Sequence, residues 1–513
     1  MFKNPQYKIL SFSTTMRNPK RIASFLKILL PFENQILDEK IIMQVVRNLI
    51  KNRLYVPNFA YRNFKEKLQN EENFSDDEID KIIENSPQNH KEAGFKKGWE
   101  SRFDTWYKLM MEFGFCFYAK NKKIILSNCA KMLIEATNQN TTNEQIINDI
   151  FLNCMAKYNL KNPFRKILNA NSPLILLLQV MQNLKEKCGD SKISKQEISF
   201  FLCWKDNNFK TLSDYILNFR EKFKSFNYSN DIIYQKCLEI LETNNQNRFK
   251  KSQICGETID EYIRKMRITG IISLRGNGRF LDLNSYKMQK IEYILKKYSN
   301  IKFFDDKQKY FDFMGEFDEK ILEFKDKINE KIKDNLKIKT LQKFANNYNK
   351  NQILNELKIL ANNKISSKDE IFKFIPEPTR FEFLTAIALK QNFISLKVLP
   401  NYIIDDEGLP ISYASGNTPD IICENETIKS IVEVSLICGK SQLLNELLPI
   451  SRHLKDLKAD KKQKFAIFIA PKIFDDSKRY VKFIDFDENL VIKNYEILEF
   501  IKFLQNNDNF LKI

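Results

Sequence analysis

The part of the chain that most constrains its fold begins after residue 370, where short apolar runs alternate with helix-period segments. The order is a helix at RFEFLTAIALKQN, strands around YIIDD and TPDIIC, a strand at SIVEVSL, a helix at GKSQLLNELLPISRHLKDL and a strand at KFAIFIA. Strands separated by helices predict a sheet with helices packed against it. We therefore expect a C-terminal α/β domain over residues 366–513.

Two of these strand-like runs carry an acid. Asp420 follows a proline directly before the run IIC, and Glu433 lies inside IVEVSL. Two short strands joined by the polar turn ENETIK would bring the two carboxylates side by side at one edge of the sheet. A carboxylate flanked by Ile and Val is costly to bury unless it is paired or bound to a metal. The pair is therefore a candidate functional site.

Three other residues are candidates for the same site. Glu382 lies on the preceding helix among apolar neighbours, and Glu446 and His453 are seven residues apart on a predicted helix, which returns them to one face. Taken singly, each of the three also fits an ordinary surface or helix position.

A group of buried carboxylates suits a divalent metal, and Mg²⁺ prefers hard oxygen ligands. The pattern predicts Asp420, Glu433 and Glu382 as Mg²⁺ ligands, with the main-chain carbonyl of Val434 as another candidate. His453 is a candidate proton acceptor near neutral pH.

Positive charge is concentrated in the front part of the chain. Residues 1–300 contain 49 Lys and Arg against 32 Asp and Glu, a net charge of +17, whereas residues 301–513 contain 34 against 33, a net charge of +1. Thirteen of the sixteen arginines precede residue 290. Because arginine clamps phosphates and reads guanine edges, this asymmetry predicts a nucleic acid as the partner of the front part.

The front part, residues 1–290, is expected to be mainly helical with winged-helix-like subdomains. Residues 105–128 and 259–284 each follow the order helix, glycine, strand, basic turn, strand, which is the layout of a winged helix. Gly276 and Gly278 are expected to be turn glycines. The predicted DNA-binding residues are Arg264, Arg267, Arg275, Arg279, Lys122 and Lys123. Each of them also fits a plain solvated hairpin.

Residues 291–365 are rich in charges of both signs with a helical period, so we expect a helical linker that buttresses the last domain.

The nine cysteines are scattered without zinc-ligand spacing, which favours reduced thiols. The start of the chain does not resemble a signal peptide, and the longest apolar run, SPLILLLQVM, is too short for a membrane span. We expect a cytoplasmic protein without membrane contact.

The order of elements after residue 370 resembles nucleases of the PD-(D/E)xK type, although Ser435 stands where that group has a lysine. More specifically, RFEFLTAIALKQN, NYIIDDEGLPISYASGNTPDII and IVEVSLICGKSQLLNELLPISRH resemble the cleavage domain of the AlwI family of type IIS restriction endonucleases. FSTTMRNPKRIASFLKILLPFE, NRLYVP and RITGIISLRGNGRFLDLN resemble its recognition part. The resemblance extends over nearly the whole chain.

This resemblance implies that the active-site acids are Glu382, Asp420, Glu433 and Glu446, that His453 is the active-site histidine, and that no lysine is required. It implies an Mg²⁺-dependent enzyme that binds a short asymmetric site in double-stranded DNA and cuts a few base pairs away, leaving 5′-phosphate and 3′-hydroxyl ends. A cognate DNA methyltransferase and a transient dimer through the cleavage domain are the expected partners.

Several alternatives stay open. The protein would be a strand-specific nicking endonuclease, or the large subunit of a heterodimeric restriction enzyme, if its cleavage domain does not pair with a second copy. It would be a DNA-binding regulator if the nuclease domain were inactive. An RNA-directed enzyme is disfavoured because no RRM or KH signature is present.

Overall fold

The computed structural model describes residues 7–12, 15–138, 143–165, 167–224, 228–243, 245–301, 303–325, 330–362, 365–414, 418–459 and 462–510. Contacts between residues divide the chain into two compact units. The first consists of Met1–Pro57 and Ser75–Lys327, and the second of Asn58–Phe74 and Ile328–Ile513. The second unit therefore contains the predicted α/β domain together with a short piece of the N-terminal region.

Helices are the main secondary structure of both units. In chain order they are α1 Arg21–Leu29, α2 Glu39–Lys51, α3 Asn58–Asn63, α4 Lys65–Gln69, α5 Asp76–Glu84, α6 Trp99–Glu112, α7 Asn128–Ala136, α8 Glu144–Lys157, α9 Pro173–Cys188, α10 Ile198–Cys203, α11 Phe209–Phe223, α12 Asn230–Ile240, α13 Thr258–Arg267, α14 Met288–Tyr298, α15 Lys307–Gly315, α16 Glu330–Asn347, α17 Lys350–Leu360, α18 Glu377–Asn392, α19 Leu448–Asp456, α20 Asp475–Glu488 and α21 Ile497–Asn506. Two π-helical turns, Gln253–Glu257 and Leu443–Leu447, lead directly into α13 and α19.

The strands are short and most of them lie in the second unit. They are β1 Cys116–Phe117, β2 Ile125–Leu126, β3 Ile193–Ser194, β4 Ile272–Arg275, β5 Phe280–Leu283, β6 Lys397–Pro400, β7 Ile403–Ile404, β8 Pro410–Ser412, β9 Ile421–Glu424, β10 Ile428–Val434, β11 Gln463–Ala470 and β12 Ile492–Glu496. The described chain is thus a mixed α and β protein, as predicted.

The helices of the first unit follow from cap residues and apolar spacing. α2 is an example, because the side chain of Asp38 accepts a hydrogen bond from the N–H of Ile41 at 2.8 Å and so satisfies an amide that has no partner within the helix. Its fully buried residues recur at helical spacing, namely Ile42, Val45, Val46 and Leu49. One face of α2 is therefore fixed in the core of the first unit.

The two segments predicted to run helix, strand, turn, strand do so. α6 precedes the β1–β2 hairpin, and α13 precedes the β4–β5 hairpin, which β3 extends to a three-stranded sheet of order β3-β5-β4. In the β4–β5 turn, Gly276, Asn277 and Gly278 have φ of +59°, +55° and +78°. Glycine adopts this left-handed conformation without steric cost, so both glycines serve the turn, as predicted.

The second unit is built on a five-stranded sheet of order β12-β11-β10-β9-β6. β10, β11 and β12 are parallel, whereas β9 is antiparallel to β10 and to β6. Ile431 and Phe468 lie in one apolar core with residues of α19 and α20. On β11, Phe465 points to the opposite face, where its ring packs 5.8 Å from that of Phe510, beyond α21. In addition to α19 and α20, helices α18 and α21 contact strands of this sheet.

The helices before this sheet pack against α18. α16 and α17 both contact α18, and both lie in the second unit. The division of the sequence at residues 290 and 365 stays a prediction. In the described parts of the chain, no helix combines the length and apolarity needed to cross a membrane.

Candidate active site

Asp420 and Glu433 lie side by side at one end of the β9–β10 pair. Ile421 is opposite Val432 in the antiparallel ladder, so Asp420 is the next residue opposite Glu433. The N–H of Asp420 donates to Glu433 Oε2 at 3.2 Å, and the N–H of Val434 donates to Asp420 Oδ2 at 2.8 Å. These two bonds fix both carboxylates where the strand pattern of the sequence predicted them.

His453 reaches Glu433 from the helix that covers this face of the sheet. Side chains alternate along a strand, so Glu433 points to the same face as Ile431, which packs against Ile450 and Leu454 of α19. The His453 Nδ1 atom lies 2.8 Å from Glu433 Oε1, and its side chain is 16% exposed. The histidine is thus oriented by the same carboxylate that contacts Asp420.

Glu446 lies in the π-helical turn Leu443–Leu447 and has a different partner. The hydroxyl of Ser435 donates to Glu446 Oε1 at 2.8 Å and accepts from the N–H of Ile437 at 3.1 Å. The predicted seven-residue helical spacing from Glu446 to His453 assumed a regular α-helix. Instead, Glu446 lies in the wider π turn and His453 lies in α19, which follows it directly; π turns are frequent at functional sites.

Glu382 is buried rather than on the surface. Only 3% of it is exposed on α18, and its Oε2 accepts a hydrogen bond from the N–H of Ala414 at 3.2 Å. The negative charges of Asp420 and Glu433 both act on its carboxyl group, which places it in the electrostatic environment of the other acids. All five residues that the sequence singled out for this site therefore lie together in the second unit.

Burial raises the pKa of all four carboxyl groups. It is the largest cause at each of them, and it raises the pKa of Glu433 to about 8 and that of Glu446 to about 7. The pKa values of Asp420 and Glu382 also lie well above the usual range, with the charge of Glu433 as the second cause for Asp420 and that of Asp420 for Glu382. Without a compensating cation, the site thus retains protons at neutral pH.

The opposite shift occurs at the histidine. Burial lowers the pKa of His453, and the charge of Asp420 opposes this effect without reversing it. The imidazole is therefore neutral near pH 7. When Glu433 is ionised, Nδ1–H of the neutral ring donates to it and Nε2 is left as the proton acceptor.

The donor set fits a hard divalent cation. Asp420, Glu433 and Glu382 offer buried carboxylate oxygens, the kind of ligand that Mg²⁺ prefers, and their pKa values are raised first by burial and then by the charges of neighbouring acids. Within the described residues, no three His, Cys, Asp or Glu side chains are gathered in a ready-made metal-binding arrangement. Hydrogen bonds from main-chain N–H groups and from His453 occupy several of these oxygens.

Three of the predicted DNA-binding residues lie exposed on the turns of the two hairpins. Lys122 and Lys123 are in the β1–β2 turn, and Arg279 is in the β4–β5 turn. Their predicted contact with a phosphate backbone stays a prediction.

The other three predicted DNA-binding residues are more enclosed. Arg264 and Arg267 are partly buried on α13. Arg275 is 15% exposed on β4, where its Nε donates to Asp282 Oδ2 at 2.8 Å and its Nη2 donates to the carbonyl of Leu283 at 3.0 Å. Arg275 thus contributes to an ion pair that closes the hairpin.

Two residues near the acids were missed by the sequence reasoning. Ser435 was noted only as an absent lysine, but it hydrogen-bonds Glu446. Lys337 of α16 is 13% exposed, burial lowers its pKa, and its positive charge acts on Glu382. The sequence around Lys337 carries charges of both signs and gave no signal for this role. The position of Lys337 near Glu382 depends on how α16 packs on α18.

The chain is similar to known restriction enzymes. The family model described as AlwI restriction endonuclease matches residues 111–368 and 316–486. A comparison with curated proteins gave no match.

Solved structures include similar chains. The small subunit of the heterodimeric restriction endonuclease R.BspD6I is 26% identical, with 30% of this chain and 76% of that chain covered and a TM-score of 0.26. The BpuJ1 endonuclease binding domain in complex with modified DNA is 14% identical, with 61% and 96% covered and a TM-score of 0.34. The restriction endonuclease FokI bound to DNA is 11% identical, with 100% and 98% covered and a TM-score of 0.24.

The family assignment rests on the family model, whose two matched ranges together extend from residue 111 to residue 486 and so span most of the chain. The chain belongs to the AlwI restriction endonuclease family and is a nuclease.

Proposed function

We propose that this protein is a type IIS restriction endonuclease. It binds a short asymmetric site in double-stranded DNA and hydrolyses phosphodiester bonds a few base pairs away with Mg²⁺, leaving 5′-phosphate and 3′-hydroxyl ends. The observation that carries the proposal is the buried network in which Asp420, Glu433 and His453 are joined by hydrogen bonds in a member of a restriction endonuclease family.

The acids would hold the metal. Asp420, Glu433 and Glu382 are the proposed ligands of Mg²⁺, in a second unit of the PD-(D/E)xK type. When bound, Mg²⁺ neutralises phosphate charge and lowers the pKa of a water molecule. Ionised Glu433 would hold the imidazole of His453 through Nδ1–H, so that Nε2 accepts a proton from the attacking water. Ser435 orients Glu446 beside this network, where Glu446 would hold the water by a hydrogen bond.

DNA recognition is assigned to the basic first unit. Lys122, Lys123 and Arg279 would contact phosphates from the two winged-helix-like hairpins, since they are exposed on their turns. Arg264 and Arg267 on α13 would read or flank the site. Arg275, which is held by Asp282, would support the hairpin. A cognate methyltransferase would protect host DNA, and transient pairing of two cleavage domains would cut both strands.

The test is incubation of the purified full chain with supercoiled unmethylated plasmid DNA, in Mg²⁺ and in EDTA, followed by sequencing of the product ends. We expect Mg²⁺-dependent linear molecules with breaks at a fixed offset from one short sequence. Open circles at such a sequence would identify a strand-specific nicking enzyme or the large subunit of a heterodimeric enzyme. Tight binding to DNA from several sources without any cutting would contradict the proposal and indicate a DNA-binding regulator.

A further inference from the structure

One short segment belongs to a different unit from the chain on either side of it. Asn58–Phe74, called here the strap, is part of the second unit, whereas residues up to Pro57 and from Ser75 belong to the first. The strap contains α3 and α4 and has its own aromatic cluster, in which the ring of Phe64 lies 6.4 Å from that of Phe59 and 5.6 Å from that of Phe74. It is a folded element.

The strap is bonded to the loop that joins the two acid-bearing elements. This connecting loop, residues 436–442, follows the strand that carries Glu433 and precedes the π turn that carries Glu446. Oε2 of Glu71 in the strap accepts a hydrogen bond from the N–H of Gly439 at 3.0 Å. Beside it, Lys472 Nζ donates to Asn70 Oδ1 at 2.5 Å.

Gly439 is a close-approach position. A Cβ atom there would lie 2.6 Å from the carbonyl oxygen of Asn70 and 2.7 Å from the Cβ of Glu71. Distances this short are not found for real Cβ atoms. Any residue larger than glycine at position 439 would therefore displace the strap. The glycine thus serves the contact with the strap.

Hydrogen bonds within the connecting loop link this contact to the active-site acids. Gln442 is fully buried, and its Nε2 donates to the carbonyls of Ile437 at 2.7 Å and Lys472 at 3.0 Å, while its N–H donates to the carbonyl of Gly439 at 3.0 Å. At the start of the loop, the N–H of Ile437 donates to the Ser435 hydroxyl that binds Glu446. A displacement at Gly439 therefore reaches Glu446 through a short chain of hydrogen bonds.

We propose that Glu71 is a positioning residue for DNA cleavage: it holds the connecting loop in the conformation that keeps Glu446 on Ser435 beside Glu433. The proposal rests on the proposed function. Both ends of the strap continue along the chain into the first unit.

The test compares full-length variants in single-turnover cleavage of plasmid DNA at saturating enzyme with Mg²⁺. Glu71→Ala removes the acceptor of the Gly439 N–H, Glu71→Gln keeps an oxygen at the same reach, and Gly439→Ala pushes the strap away. Glu66→Ala is the matched control, since Glu66 is exposed on α4 of the same strap. Affinity for the DNA in EDTA, melting temperature and hydrogen exchange of the 436–442 amides are measured on each variant.

We expect Glu71→Ala and Gly439→Ala to lower the cleavage rate on the order of 10- to 100-fold, because small misplacements of catalytic groups have effects of this size. Glu71→Gln and Glu66→Ala should stay near the wild type, with DNA affinity unchanged throughout. Exchange at Gly439 should accelerate in Glu71→Ala.

Wild-type cleavage in Glu71→Ala, an equal loss in Glu71→Gln, or a rate loss that disappears once the unfolded fraction is corrected for would overturn the positioning role. If the wild type itself cuts no DNA, the proposed function fails. A Gly439 exchange rate that depends on Glu71 would then show that the contact exists without a role in cleavage.

Discussion

At the scale of the residue, the second unit concentrates four carboxyl groups in a buried place. Four carboxyl groups have raised pKa values, and two of them, those of Asp420 and Glu433, accept main-chain hydrogen bonds from the neighbouring strand. Such an arrangement lowers the stability of the protein when all groups are ionised, because burial penalises charge. The proposed Mg²⁺ would offset this penalty when bound.

Asp420→Asn is expected to stop cleavage while DNA binding in EDTA stays unchanged. The amide oxygen can still accept from the N–H of Val434, but the charge that would bind Mg²⁺ is lost. A fall of at least about 10²- to 10³-fold in single-turnover rate is expected from losing one electrostatic group of this kind. Asp475→Asn, a change on the exposed start of α20, is the control and should cut normally. Retained cutting by Asp420→Asn would remove Asp420 from the proposed metal site.

The raised pKa values predict how stability depends on pH. The pKa of Glu433 is about 8 in the folded protein against an ordinary value of 4.5. Its protonated form therefore stabilises the folded state fully below about pH 4.5, and this stabilisation is lost as the pH rises through 8. In EDTA, the melting temperature of the wild type should fall relative to that of Glu433→Gln between pH 5 and 8. Parallel melting curves would contradict this assignment.

The same shifts predict the pH dependence of cleavage. Ionised acids and a neutral His453 are the proposed working forms, so at limiting Mg²⁺ the rate should rise from pH 6 towards pH 8, because protons on Glu446 and Glu433 compete with the cation. In the Glu446→Gln and Glu433→Gln variants, the residual cleavage rate should increase less between pH 6 and pH 8 than the wild-type rate does. A flat profile in the wild type would show that neither group titrates in the rate-limiting step.

The sequence predicted part of the candidate site, and the parts that it did not predict have physical reasons. Asp420 and Glu433 were predictable neighbours, because two strands and a short turn fix the register locally. The hydrogen bond from Ser435 to Glu446 was not predictable, because it depends on a π turn, and the periodicity of the sequence does not indicate such a turn. The burial of Glu382 on α18 depends on which face of that helix the sheet covers.

At the scale of the element, helix α16 packs closely against two of its neighbours, α18 and the β7–β8 turn. α16 packs on α18, and the β7–β8 turn fits closely against α16 at Gly408, whose φ is +81°. A Cβ atom at Gly408 would clash with the hydroxyl of Thr340, which also donates to the carbonyl of Glu407 at 3.2 Å. The turn and the helix are thus matched in shape.

Gly408→Ala is therefore expected to destabilise the protein by about 1–3 kcal/mol, from the strained backbone and the clash together. The control is Gly189→Ala, where φ is +75° but nothing lies within 4 Å, so only the backbone cost applies. Thermal or denaturant unfolding measures both. An equal loss of stability in the two variants would show that α16 yields to the added methyl group.

Element order was predicted well, but element partnership was not. The alternation after residue 370 predicted the central strands and the helices that cover them, because hydrophobic period and turn residues are local signals. That residues 58–74 would join the second unit was not predictable, since it depends on contacts between residues far apart in the sequence, such as those of Glu71 with Gly439 and of Asn70 with Lys472.

At the scale of the whole molecule, charge and chemistry are separated along the chain. Residues 1–300 carry +17 and residues 301–513 carry +1, and the candidate active site lies in the nearly neutral part. A polyanion should therefore be bound mainly by the first part, with an affinity that falls steeply as salt displaces released counterions. Loss of binding and loss of cutting should be separable by mutation.

The triple variant Lys122→Gln, Lys123→Gln, Arg279→Gln tests this separation. If each residue neutralises one phosphate, the slope of log affinity against log salt becomes shallower by about 0.9 per residue lost. Binding should weaken on specific and non-specific DNA alike, whereas the single-turnover rate at saturating enzyme should stay near that of the wild type. Arg275→Gln is the contrasting variant, because breaking its ion pair with Asp282 should lower the melting temperature. An unchanged salt slope in the triple variant would exclude the two hairpin turns from the DNA interface.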